Sequence, residues 1–538
     1  MTATVPSSRR PRRLGPLLIG LAFVVAACSD GESAIDAGRD DAPTTEVTAD
    51  ATEPAEVAPS TDEIEPAATE PAETDVGATD STVVDAESTA TDAPVSPLAD
   101  SAPCPVDALD AADGPTEITL WFGLADALGS ELEALAQQYN ASQDRVVVNV
   151  ENQVDYESTI DKYLQLGVEE RPEILLAPEF AVQTFAESAS FVPVQACIEA
   201  SGFDSSTFLP RALNAYAFDA VQWGLPFNVS SPVLYFTSPV FEAAGLDPTD
   251  PPLSLDELRS ASQAIVDSGA ATYGLVVDVA RNSAGAQLEQ WLGQAEVPFV
   301  DNDNGRSARA TEALFDNPTG LRGFEFLQAM RRDGLSFNVG QNPGGLDAFL
   351  KLVDPSEPGA MTVETSAALT QLYDALDGGL GGDLTRDDLV VGPMPGPTDQ
   401  PAAQVSGAAL WIPADKGDES VAAAWDFTQF LVDAQTQSTW AAATGYVPMR
   451  SDAVELDPIA SLFDDDTNFR VAYDQLAAPT DSPFAARPAV GPQREVRQAL
   501  ADAISRLYAD PEGADAAALL ADAEATANRL IATYNDLN

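Results

Sequence analysis

The sequence predicts an α/β fold of more than one domain, preceded by a long acidic segment. Three observations predict it. The chain has 538 residues, enough for two or more ordinary domains. From about Glu117 onward, short apolar runs alternate with stretches whose apolar residues recur at three- and four-residue steps, the pattern of a mostly parallel sheet covered by helices. Between Ser29 and Gly114 the chain is built from Ala, Thr, Pro, Asp, Glu and Ser, with Arg39 its only basic residue and no aromatic side chain. Such a segment cannot bury enough apolar surface to offset chain entropy and is expected to be disordered.

The elements follow in order. Arg9, Arg10, Arg12 and Arg13 precede an apolar run over 14–26. That run is too short to span a bilayer, which takes about twenty residues, and its basic start and small-residue end are the marks of a secretory signal. Val25-Ala26-Ala27-Cys28 resembles a bacterial lipobox. In proteins with that pattern the cysteine is lipidated and becomes the mature N-terminus, so Cys28 is expected to anchor the chain to a membrane. The acidic segment then reads as a stalk of about 50 Å.

In the body, Ile118-Thr119-Leu120-Trp121-Phe122 reads as a buried strand, and Leu128, Leu132, Leu135 and Tyr139 mark a helix. A strand over 146–150, a helix over 158–167 and a strand over 173–176 follow. Ligands in such sheets bind at the carboxyl ends of the strands, which makes Glu179 a candidate. Helical spacing recurs over 255–268, 308–314, 321–332 and 366–376, with Pro and Gly clusters between these stretches. Helices over 420–431, 494–507 and 516–534 close the chain.

Composition excludes several functions. The net charge is −60, from 86 acidic and 26 basic residues. That argues against nucleic acid, whose binding rests on Lys and Arg contacts to phosphate. The chain contains no histidine, which removes Ser-His-Asp and Cys-His catalysis and His-ligated zinc. With Cys28 lipidated, Cys104 and Cys197 form an even pair in an oxidising compartment and are expected to be bonded, free thiols being the alternative.

Two motifs carry little. Gly378-Gly379-Leu380-Gly381-Gly382 lacks the Lys-Ser/Thr of a phosphate-binding loop and reads as a turn-rich connection. Asp301-Asn302-Asp303-Asn304-Gly305 opens like a calcium loop, but its glycine comes one place early and Arg306 takes the slot; a surface turn is expected. No metal and no cofactor are expected.

The informative runs lie elsewhere. Leu225-Pro226-Phe227-Asn228-Val229-Ser230-Ser231-Pro232-Val233-Leu234-Tyr235-Phe236 is followed by Phe241-Glu242-Ala243-Ala244-Gly245-Leu246-Asp247-Pro248. Then come Gly359-Ala360-Met361-Thr362, Gly407-Ala408-Ala409-Leu410-Trp411-Ile412 and Thr444-Gly445-Tyr446-Val447-Pro448. In this order and spacing they resemble the extracellular solute-binding proteins of ABC importers, in the family that takes maltodextrins and glycerol phosphates. The resemblance implies a two-lobed periplasmic-binding-protein fold of type II with a hinge, working as a monomer that hands a small solute to permease subunits. It implies a signal over 1–27, an anchored linker over 28–114, a first lobe from 115–228 and 406–434, and a second from 229–405 and 435–538, with crossings near 228–232, 405–407 and 432–436.

Matched residue by residue to the members that take glycerol phosphates, the resemblance implies ligand-binding roles for Tyr156, Glu179, Ser230, Thr365, Gly407, Tyr446 and Arg497. A pocket tryptophan of those members has no counterpart near Arg281–Gly285. The residue types suit a hydroxylated anion. Arg presents paired N–H groups to phosphate, glycine lets a backbone amide approach closely, and Glu179 can accept from hydroxyls. The alternatives are a maltodextrin or oligosaccharide receptor using Trp223 or Trp411, a cell-surface hydrolase, and an adhesin presented on the stalk.

Overall fold

The computed structural model describes residues 103–124, 126–341 and 347–538. The signal segment, Cys28 and most of the acidic stalk lie outside the described residues. Along the chain the strands are β1 (Thr116–Phe122), β2 (Val146–Asn152), β3 (Ile174–Pro178), β4 (Phe191–Val192), β5 (Ala217–Phe218), β6 (Val221–Gln222), β7 (Leu225–Ser230), β8 (Pro232–Thr237), β9 (Tyr273–Val277), β10 (Ser336–Asn338), β11 (Gly359–Thr365), β12 (Leu389–Pro393) and β13 (Ser406–Pro413).

Two larger sheets organise the fold. The first has the order β2-β1-β3-β13-β4, with β7 also pairing with β13. Its β1 runs parallel to β2 and β3, while β13 returns antiparallel to β3. The second has the order β10-β9-β11-β8-β12, in which β9 is parallel to β10 and β11, and β8 is antiparallel to β11 and β12. Each sheet is the centre of one lobe. Ser231 alone separates β7 of the first sheet from β8 of the second, and the chain returns between Pro393 and Ser406.

The strands read as apolar runs because both faces of each sheet are covered. Leu120, Phe122, Ile174, Leu176, Leu410 and Trp411 are buried in the first lobe; Leu234, Phe236, Trp291, Met361, Leu500 and Leu520 are buried in the second. Helix Leu255–Ser268 shows why such boundaries form. Ser254 and Glu257 exchange side-chain-to-backbone hydrogen bonds in a capping box, and Gly269 ends the helix in the left-handed region at φ 74°.

Three expectations are corrected. The linker does not run to residue 114: Cys104 bonds to Cys197, and Leu109 is buried in the short 3₁₀ turn Ala108–Ala111, so residues from 103 on belong to the folded body. The stretch 308–314 is extended rather than helical, because Ala313 bridges to Val300 and Asn302, Asp303 and Asn304 turn the chain through positive φ just before it. The chain does not cross to the second lobe near Val432–Thr436. Helix Ala434–Thr444 stays with the first, where Trp440 packs on Phe227 of β7 and Val447 bridges to Val229. Helix Asn468–Ala477 then lies against the second sheet, where Asn468 accepts from the Val391 amide and Gln475 from the Met394 amide, and helices Gln493–Ala509 and Ala516–Leu537 join the second core through Val496, Leu500, Leu507 and Leu520.

Candidate functional site

The residues that end strands face one another between the lobes. Glu179 opens a 3₁₀ turn directly after β3, and Tyr156 opens helix Tyr156–Gln165 just past β2, where Asp155 accepts from the Ser158 amide. Ser230 ends β7 opposite Ser406 in the register with β13, one step from Gly407. Thr365 ends β11, and Arg497 lies on the first turns of helix Gln493–Ala509. All seven expected residues, Tyr156, Glu179, Ser230, Thr365, Gly407, Tyr446 and Arg497, line a single cavity of about 390 Å³.

Their local settings differ. Gly407 has φ +99°, and a Cβ there would stand 2.0 Å from the Asn228 carbonyl oxygen, so only glycine lets β13 pass β7 at this point. The Asn228 side-chain amide donates to the Tyr156 hydroxyl at 2.6 Å. Burial raises the pKa of both Tyr156 and Tyr446, keeping two neutral hydroxyls on this wall. The Tyr446 ring stacks on Trp440 at 5.6 Å between centroids. Thr365 carries a structural duty as well: its hydroxyl accepts from the Ala367 amide at 3.3 Å.

Two of the expected residues, Glu179 and Arg497, belong to a larger charged centre. Arg497 Nη2 donates to Glu179 at 3.0 Å, and its Nε and Nη2 donate to Glu289 at 2.8 and 2.7 Å. Arg487 Nη1 donates to Glu289 at 3.1 Å and lies 3.6 Å from Glu179. The rest of the Arg487 fork reaches Ser406 Oγ at 2.7 Å and the Val405 carbonyl at 3.0 Å. Arg306 backs this group, donating to the carbonyls of Arg487, Ala215 and Ala217. Three guanidinium groups against the carboxylates of Glu179 and Glu289 leave one positive charge in excess.

Burial by itself would lower the Arg497 pKa, but Glu289 and Glu179 outweigh it and hold it above the ordinary value. Among the described residues no carboxylate is hydrogen-bonded to Arg306, and burial brings it down to about 10, still charged at neutral pH. Two buried carboxylates thus hold two guanidinium forks rigid, with the excess positive charge beside the cavity. That arrangement can orient and neutralise a small anion, and the surrounding hydroxyls and tyrosines can meet a polyol.

Sequence reading missed Glu289, Arg487, Arg306 and Asn228 as site residues. A signal existed for Glu289, which is an acid among Leu288, Trp291 and Leu292 on helix Ala286–Gln294. The tryptophans named for a sugar receptor sit elsewhere. Trp411 is fully buried against Phe185 and Phe191, Trp223 is buried, and neither lines the cavity. Trp291 is also core, its indole N–H donating to the Pro395 carbonyl at 3.1 Å.

With this geometry in place, comparison with known proteins decides the family. The profile of the bacterial extracellular solute-binding proteins matches residues 134–470. The chain belongs to that family. The sn-glycerol-3-phosphate-binding periplasmic protein UgpB of Salmonella typhimurium is 27% identical over 398 residues, covering 71% of this chain and 85% of that protein. Among solved structures, UgpB from Mycobacterium tuberculosis in complex with glycerophosphocholine superposes with a TM-score of 0.62 at 18% identity, covering 79% of this chain and all of that one. The cyclic α-maltosyl-1,6-maltose binding protein from Arthrobacter globiformis gives 0.63 at 20% identity, covering 78% and 99%. These likenesses establish the two-lobed fold. This protein is therefore a solute-binding protein of an ABC importer, of the kind that takes up a small solute outside the cytoplasm and delivers it to a permease. No helix of the described residues is long and apolar enough to cross a membrane.

Proposed function

We propose that this protein captures sn-glycerol-3-phosphate or a glycerophosphodiester between its lobes, catalyses no reaction on it, and acts as a monomer tethered by lipid at Cys28. The observation that carries the ligand assignment is the pairing of Arg497 and Arg487 with Glu179 and Glu289 on one wall of the cavity that also holds the seven expected residues. A phosphate takes the excess positive charge and the guanidinium N–H groups, and Glu179 accepts from glycerol hydroxyls. Similarity to the glycerol-phosphate-binding relatives supports the same class. Ligand between the lobes favours the closed arrangement because only that arrangement contacts it from both sides, and the permease reads the shift.

A thermal-shift panel on the purified chain tests this reading. Glycerol-3-phosphate and glycerophosphodiesters are expected to raise the melting temperature, with maltotriose and acarbose-like oligosaccharides inert. Stabilisation by oligosaccharides alone would contradict it.

A further inference from the structure

One stretch of the second lobe is strained. Asn302, Asp303, Asn304 and Gly305 stand in a row in the left-handed region, with φ 52°, 54°, 60° and 72°. L-residues visit that region singly, and a run of them persists only where the surroundings over-determine it. Here they do. Asn304 Oδ1 accepts from the Phe299 and Val300 amides at 2.7 and 3.3 Å, and the Asn304 carbonyl accepts from the Ala489 amide at 2.8 Å. A Cβ on Gly305 would stand 2.0 Å from the Ala489 carbonyl oxygen. This is the stretch that opens like a calcium loop, yet the Asp301 carboxylate is taken up by the Thr311 and Glu312 amides at 2.7 and 3.2 Å. What the turn delivers is the next residue, Arg306.

The Arg306 guanidinium joins the lobes. Phe299 and Val300, at the start of its loop, belong to the second core, and Ala215 and Tyr216 belong to the first. Its Nη1 donates to the carbonyls of Ala215 and Ala217 at 3.0 and 2.7 Å, and its Nε and Nη2 donate to the Arg487 carbonyl at 2.9 and 2.5 Å. The Asp219 amide donates back to the Arg306 carbonyl at 2.9 Å. Carbonyl oxygens satisfy N–H groups without cancelling the charge. Arg487 and Arg497 are matched by Glu179 and Glu289, so the unmatched positive charge of the centre is the one on Arg306. Arg306 does not line the cavity, but Arg487, whose carbonyl it holds, does. Where water is excluded, a charge acts past one intervening layer of side chains.

We propose that Arg306 is a specificity-determining residue of the site: from behind the cavity wall it supplies the positive potential that favours an anion over a neutral polyol, and the left-handed turn Asn302–Gly305 seats it there. The inference rests on the glycerol-phosphate reading of the cavity and adds to it a residue that touches no ligand. Its effect runs through charge, whereas Arg487 and Arg497 also offer N–H groups to the cavity.

Titration calorimetry with sn-glycerol-3-phosphate at pH 7.5 tests this on the wild-type chain, Arg306→Gln and Arg306→Lys. Neither substitution rebuilds the four hydrogen bonds to carbonyls, so both should lower the melting temperature. Charge alone separates them. Arg306→Gln is expected to weaken binding by about tenfold or more, and Arg306→Lys to stay within about threefold of wild type. Equal weakening in the two variants, or unweakened binding in Arg306→Gln, overturns the inference. If Arg306→Gln does not fold, Arg306→Lys decides alone, because a buried ammonium loses its proton at lower pH than a guanidinium. Its affinity relative to wild type should then fall between pH 7.5 and pH 9, and a constant ratio overturns the inference. Absence of binding by wild type overturns the glycerol-phosphate reading together with this one, whereas all the other contrary outcomes leave that reading standing.

Discussion

Arg497 and Glu179 are 318 residues apart in sequence and 3.0 Å apart in the fold, an ion pair that joins the second lobe to the first. Arg497 belongs to a helix packed in the second core; Glu179 ends a strand of the first sheet. Two side chains that line the same cavity therefore also touch each other. On the proposed function, a ligand in this cavity would share this pair or displace it, which would couple its binding to how the lobes meet.

Glu289 is the anchor of the charged centre. It accepts from Arg487, Gln493 and Arg497 while fully buried. Glu289→Ala leaves two guanidinium groups buried without their main partner and should cost about 3–5 kcal/mol of stability. Denaturant unfolding measures this; Glu289→Gln should recover part of it by keeping hydrogen-bond acceptance.

The Cys104–Cys197 disulfide spans a sequence separation of 93 residues. Closing a loop of this size restricts the unfolded chain, a contribution of about 4–5 kcal/mol in the chain-entropy account. The double substitution to serine should lower the denaturant midpoint accordingly, and reductant should do the same to wild type and nothing to the variant.

Stability should depend on pH through Glu364. Its pKa rises from 4.5 in the free side chain to about 8 in the fold, chiefly by burial and then by Asp278. A group raised in the fold binds more protons folded than unfolded, so its contribution is full below about 4.5 and falls as pH climbs through 8. Unfolding free energies measured from pH 5 to 8.5 should decline in wild type, and Glu364→Gln should remove that part of the decline.

Lipid attachment at Cys28 predicts retention. Wild-type protein should partition with membranes after correct processing, and Cys28→Ser should appear in the medium or remain unprocessed. Fractionation with antibody detection checks this, and unchanged membrane retention of processed Cys28→Ser would count against the anchor.

Much of the fold was legible because both sheets are buried, and buried strands announce themselves as apolar runs such as Ile174-Leu175-Leu176. The strand-end position of Glu179 followed from that pattern, and the resemblance brought Tyr156, Ser230, Thr365, Gly407, Tyr446 and Arg497 beside it. Three kinds of feature escaped. Glu289 and Arg487 act through long-range pairing, which leaves no local periodicity. Residues from 103 on share the acidic segment's composition, but one disulfide and one buried leucine draw them into the body. The lobe assignment of Ala434–Thr444 turns on a ring contact between Trp440 and Phe227, which no spacing rule sees.

The central claim is that a glycerol phosphate binds at Arg497 between the lobes. Calorimetric titration of the purified chain with sn-glycerol-3-phosphate, repeated with Arg497→Lys, tests it most directly. The account predicts saturable micromolar or tighter binding, weakened by about tenfold or more when the fork becomes a point charge. Absence of heat with glycerol phosphates alongside saturable binding of an oligosaccharide, or affinity for glycerol-3-phosphate unaltered in Arg497→Lys, would contradict it.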